Sequence, residues 1–138
     1  MFVVDASIVT KWFVDQVDSD VAERVQASRK PLLAPQLLIA EVTDALRKHV
    51  RVRDISIDQA TAAIESLPSW LSELVPMQSL AGPALTIARR IEHSAYDCFY
   101  VALAESRSAR LVTADRRLIN RVARTKYKAT IIHLSDWT

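Results

Sequence analysis

Short apolar runs alternate with amphipathic stretches along the 138-residue chain, and that alternation constrains the fold more than any single residue does. Five runs read as strands: Phe2–Val4, Leu32–Ala34, Leu74–Val75, Leu111–Thr113 and Thr130–His133. Helical patterns lie between them, over Ile8–Val14, Ser19–Ser28, Pro35–Val52, Asp58–Leu67, Leu80–Glu92, Ala95–Ser106 and Arg116–Arg124. Strands separated by helices of this length pair in parallel through right-handed crossovers. The expected architecture is therefore α/β, a single domain over residues 1–138. Its central parallel β-sheet has four to five short strands flanked by helices on both faces. Half of the residues are hydrophobic and a quarter charged, enough for one buried core.

Composition removes several chemistries. The chain has one glycine, Gly82, whereas phosphate-cradling loops and dinucleotide fingerprints need several. His49, His93 and His133 lie far apart in sequence and form no HExxH pair. His93, near a helix end, reads as a solvated or capping residue. The lone Cys98 has no disulfide partner and no zinc-knuckle companion, which fits a reducing compartment. No apolar run is long enough to span a bilayer, so a cytoplasmic protein is expected.

Four carboxylates stand out by position. Asp5 and Asp115 end strands, and reactive groups of parallel sheets collect beyond such carboxyl ends. Glu41 borders the helix face marked by Leu38, Val42, Ala45 and His49, where an ionised group needs a partner unless it reaches water. Asp97 opens a helix that is apolar almost all round. Each also has a structural explanation. Ser94 with Asp97 resembles a capping box, Asp115 suits a helix N-cap, and Asp44 with Lys48 forms an ordinary exposed pair.

The stretches "FVVDASIVTKWFV", "APQLLIAEVTDALRK", "YDCFYVALAE" and "LVTADRRL" resemble, in order and spacing, the four motifs of the PIN domain. With no further domain appended, the chain is most similar to VapC toxins of bacterial toxin–antitoxin pairs. The resemblance implies a central parallel sheet, an acidic pocket holding Mg²⁺ or Mn²⁺, and endonuclease action on RNA. The acidic quartet then falls on Asp5, Glu41, Asp97 and Asp115, with Ser7 and Thr113 as hydroxyl neighbours. An Asn is common three residues after the motif's Glu; here the residue is Asp44. The family further implies a homodimer and a cognate VapB-type antitoxin whose tail enters the pocket.

The chemistry is consistent with that resemblance. Phosphodiester hydrolysis needs an activated water and relief of charge in the transition state, and hard cations held by carboxylates provide both. Four acids suit one metal, or two about 3.5–4 Å apart. Asp5 and Asp97 are assigned as principal metal ligands, Glu41 and Asp115 as ligands directly or through water, and Thr113 as a positioning hydroxyl. From Arg107 to Lys128, eight Lys or Arg face one acid, Asp115. Arg117, Arg121 and Arg124 form a stripe for an RNA backbone, and Arg47, Lys48, Arg51 and Arg53 a second basic cluster. Trp12 reads as core or as a subunit surface. A haloacid-dehalogenase-like phosphatase needs an Asp at position 7, which is Ser. A catalytically silent PIN-like module that binds RNA or a partner is the remaining alternative.

Overall fold

A computed structural model describes residues 1–138. Five strands form one sheet: β1 (Phe2–Val4), β2 (Leu32–Pro35), β3 (Glu73–Val75), β4 (Arg110–Thr113) and β5 (Ile131–His133). Their order is β3-β2-β1-β4-β5, and every pairing is parallel. Consecutive residues of β1, β2 and β4 are buried, as in a sheet covered on both faces. Seven helices provide the cover: α1 (Ala6–Val9), α2 (Ser19–Ala27), α3 (Leu37–Arg51), α4 (Ile57–Ser66), α5 (Gln78–Ile91), α6 (Ala95–Ser106) and α7 (Arg116–Val122). None is long and apolar enough to cross a membrane.

The strand order fixes where a site can form. The chain builds β1, β2 and β3 outward in one direction, then returns to place β4 and β5 on the other side of β1. This reversal opens a crevice beyond the carboxyl ends of β1 and β4. Val4 pairs with Val112, so the residues that follow, Asp5 and Thr113, meet at that crevice.

Helix α6 is the central buried element and packs on β1, β2 and β4, with α5 against it. Cys98, Val101, Ala102, Leu103 and Ala104 are all buried, because the helix carries no polar side chain between Tyr100 and Glu105. Leu38, Val42 and Leu46, at intervals of four, form the buried face of α3. Ala45 and His49, expected on that face, instead lie half-buried at its margin, because Leu46 continues the spacing of four.

Three further expectations are corrected. Pro35 ends β2 and does not open α3. The β1 ladder reaches only Leu33, so the missing Pro N–H deprives no partner there, and α3 starts after Gln36, whose N–H bonds the Val75 carbonyl. The helix expected over Ile8–Val14 is α1 followed by a 3₁₀ turn, Thr10–Trp12, and the change falls within the β-branched run Ile8, Val9 and Thr10. Helix α7 ends at Val122, so Arg124 belongs to the following turn. Trp12 packs against the core, and its indole N–H donates to the Ala22 carbonyl at 2.9 Å.

Leu111 is fully buried on β4, beside β1. Leu111→Ala is expected to lower unfolding stability by about 2–5 kcal/mol. Urea titration should show a lower midpoint with an unchanged slope.

Candidate functional site

Asp5 leaves β1 and caps α1, its carboxylate accepting the Ile8 N–H at 3.3 Å. The Ser7 hydroxyl donates to one carboxylate oxygen and the Thr113 hydroxyl to the other. Each hydroxyl also accepts a backbone N–H at 3.0 Å, Ser7 from Ala114 and Thr113 from Asp115. The ends of β1 and β4 are thus fastened through one carboxylate. Asp5 is only 8 % exposed, and burial pushes its pKa up to about 6 against the lowering effect of these donors, with the Asp97 charge adding to the rise.

Asp97 sits in the first turn of α6, but it does not complete a capping box. Ser94 is the cap, accepting the Tyr96 N–H, whereas Asp97 meets the His93 Nε2 at 2.6 Å. The His93 side chain is 6 % exposed, so the expectation of a solvated or capping histidine is overturned. Its placement follows from the end of α5. Glu92 takes the left-handed conformation at φ 52°, and the N–H groups of Glu92 and His93 both bond the Ala88 carbonyl. That reversal carries the next side chain into the crevice. The signal missed in the sequence is the His93-to-Asp97 spacing of four across a helix start.

Asp115 is an N-cap, as its structural reading anticipated: one oxygen accepts the N–H groups of Arg117 at 2.9 Å and Leu118 at 3.3 Å. It is also part of the site. One ligand atom each from His93, Asp97 and Asp115 lies within 4.8 Å of the others. They line a cleft of about 380 Å³ together with Glu92 and Arg117.

Glu41 approaches from α3. The buried Tyr100 hydroxyl donates to it at 2.6 Å, and desolvation, opposed by that bond and assisted by Asp97, raises the Glu41 pKa. Tyr100 is pushed well above the ordinary tyrosine range, first by burial and then by Glu41, Asp5 and Asp97. Its hydroxyl therefore stays protonated and remains a donor. Burial, with the charge of Asp97, also pushes the Cys98 thiol up to about 11 and keeps it unreactive.

Of the residues singled out in the sequence, the structure brings Asp97 and Asp115 directly together and adds His93. Asp5 and Glu41 stand behind them, within reach of the Asp97 charge. Asp44 is a surface residue, 57 % exposed and paired with Arg47 at 2.9 Å and Lys48 at 3.6 Å. Arg117 borders the cleft, whereas Arg121 and Arg124 are exposed farther along. The carboxylate oxygens form a hard donor set that suits a divalent cation such as Mg²⁺ or Mn²⁺, with His93 Nε2 engaged by Asp97.

Because the Asp5 pKa lies above its unfolded value of 3.8, its contribution is fully present below that pH and is lost as pH rises through about 6. The cost at neutral pH is about 3 kcal/mol at most, from 1.36 kcal/mol per unit. Asp5→Asn should therefore raise the melting temperature of the metal-free protein above pH 7 and flatten the stability decline between pH 4 and 6. Melting curves at several pH values in EDTA check both.

The PIN domain family matches residues 2–125. Ribonuclease VapC3 of Pyrobaculum aerophilum is 32% identical over 118 residues, which span 84% of this chain and 90% of that protein. The crystal structure of PAE2754 from Pyrobaculum aerophilum superposes with a TM-score of 0.71 at 25% identity, over 97% of this chain and 90% of that one. A toxin–antitoxin complex from Klebsiella pneumoniae shares the fold, with a TM-score of 0.71 at 13% identity over 97% and 98% of the two chains. With four acidic side chains gathered at the switch point of a five-stranded parallel sheet, and with these relatives, the chain belongs to the PIN domain family of VapC-type proteins.

Proposed function

We propose that the chain is a Mg²⁺- or Mn²⁺-dependent endoribonuclease that acts as the toxin of a toxin–antitoxin pair. The observation that carries this reading is the convergence of Asp97, Asp115 and His93 on one cleft, with the buried Asp5 within reach of the Asp97 charge. The named activity of the Pyrobaculum relative, a ribonuclease, supports it.

Asp5 and Asp97 would be the principal ligands of the cation, with Glu41 and Asp115 as ligands directly or through water; Asp97 and Asp115 lie together at the cleft. A divalent cation bound there supplies an activated water and relieves negative charge in phosphodiester hydrolysis. Every other part is played by the chain itself. Thr113 and Ser7 fix the orientation of Asp5, and Tyr100 fixes Glu41. His93 orients the Asp97 carboxylate, a supporting contact of the kind that metal ligands usually have. Arg117, on the cleft margin, offers a guanidinium to a phosphate, and Arg121 and Arg124 extend the positive charge along the backbone. A homodimer and a VapB-type antitoxin complete the proposal, the second supported by the toxin–antitoxin complex that shares this fold.

Purified protein freed of antitoxin is expected to cleave RNA in Mg²⁺ or Mn²⁺, to lose activity in EDTA, and to leave 5′-phosphate and 3′-hydroxyl ends. Asp97→Asn should abolish cleavage. Cyclic 2′,3′-phosphate products would overturn the mechanism, and RNA binding without cleavage would leave a silent binding module.

His93→Ala should weaken divalent-cation affinity about 10- to 100-fold while the fold persists, read from the cation-dependent rise in melting temperature. Replacing Arg117, Arg121 and Arg124 by Gln should reduce the log–log salt slope of single-stranded RNA binding by about 0.7 for each phosphate that is no longer neutralised. Arg117→Gln alone should account for one whole phosphate, because that side chain borders the acids.

A further inference from the structure

Beside the acid cleft lies a second hollow of about 500 Å³, with Tyr96 in its lining. Ala6 of α1 and Leu37, Ala40 and Ala45 of α3 give it an apolar surface, and Glu41, Asp44, Lys48 and His49 give it a polar margin. The hollow adjoins the site already described. Ala6 follows Asp5, Tyr96 precedes Asp97, and Glu41 belongs to both.

The two tyrosines of α6 are used in opposite ways. Tyr100 is 1 % exposed and bonds Glu41, whereas Tyr96 is 64 % exposed at the first turn. An aromatic ring left in water forgoes the burial that stabilises most such side chains. A flat partner that covers it recovers that energy. An unpaired nucleobase has the right chemistry, since it offers a flat face for stacking and polar edges for the charged margin. The Tyr96 ring stands one residue before Asp97, so a base stacked on it would adjoin a phosphodiester held at the acids.

We propose that this hollow receives the unpaired base next to the phosphodiester held at the acids, with Tyr96 as its stacking surface. The inference rests on the ribonuclease reading above. It makes the substrate single-stranded at that position, because a base within a duplex cannot reach the ring. Tyr96 then contributes to choosing where the strand is cut. Lys48, shared at 3.6 Å with Asp44, stands at the margin of the hollow for the adjoining phosphate.

A short single-stranded RNA carrying 2-aminopurine beside the bond that the wild type cuts tests this. It is mixed by stopped flow with the Mg²⁺-loaded protein, and fluorescence is followed before cleavage. Wild type and Tyr96→Phe should both change the fluorescence. Tyr96→Ala should lose that change and require about 5- to 150-fold more protein for half-saturation, the equivalent of about 1–3 kcal/mol of stacking. An unaltered Mg²⁺-induced melting shift in Tyr96→Ala excludes misfolding. Equal affinity and equal fluorescence change in Tyr96→Ala, with cleavage intact, would overturn the stacking role alone. Unchanged RNA binding with weakened antitoxin binding would assign the hollow to the protein partner and also overturn it. A wild type that neither binds nor cuts RNA would overturn the ribonuclease reading and this inference with it.

Discussion

Folding takes one carboxylate out of water at the seam between β1 and β4, and the rest of the site depends on how that group is held. Two strand ends meet at Asp5, and two hydroxyls stand between its charge and the surrounding backbone. Ser7 and Thr113 each donate to the carboxylate while accepting an N–H from Ala114 or Asp115. Removing the Thr113 hydroxyl would leave the second Asp5 oxygen and the Asp115 N–H unpaired at once, which is why an apolar replacement there would be expensive. Even so, the donors do not fully offset burial, and Asp5 keeps a raised pKa.

That residual cost is concentrated in a small part of the molecule. Away from the crevice, the chain follows the ordinary rules: continuous buried strands, an apolar α6 and a single core cluster that joins both sides of the sheet. The site breaks those rules, gathering charges of one sign where water is scarce. Such a group of acids is tolerated because the core supplies the stability, and a divalent cation bound there would relieve the repulsion in the folded state. The same helix serves both ends, for α6 anchors the core through Leu103 and Val101 while presenting Asp97 and Tyr100 three residues apart.

The sheet was legible because its signal is coarse. Short apolar runs separated by helices have few alternatives, and α6 was bounded correctly because Ser94 marks its start. Finer features depended on contacts that no local pattern encodes. Pro35 reads as a helix opener until the β1 ladder is seen to stop two residues earlier. The acids were legible as a set, since strand ends and motif spacing place them. His93 was not, because its burial depends on Glu92 turning left-handed at the end of α5, a conformation the residue itself does not favour. Tyr100 was visible only as one apolar position among several; its partner Glu41 lies 59 residues away.

The apparent conflict between capping and ligation at these acids also dissolves in the structure. A carboxylate has about four lone-pair sites, and a helix cap uses one or two of them. Asp115 accepts its two N–H groups on a single oxygen and leaves the other free of them, while its carboxylate stands near His93 and Asp97. Glu41 engages Tyr100 through one oxygen, and Asp97 engages His93 through one. Asp5 alone has both oxygens occupied by hydroxyl donors, and it is also the most buried of the four. The acids therefore form a gradient, from the one that holds the fold together to those with an oxygen free at the cleft. A residue-by-residue choice between structural and chemical roles does not resolve them, because Asp115, Glu41 and Asp97 each engage the fold through one oxygen and keep the other, whereas Asp5 engages it through both.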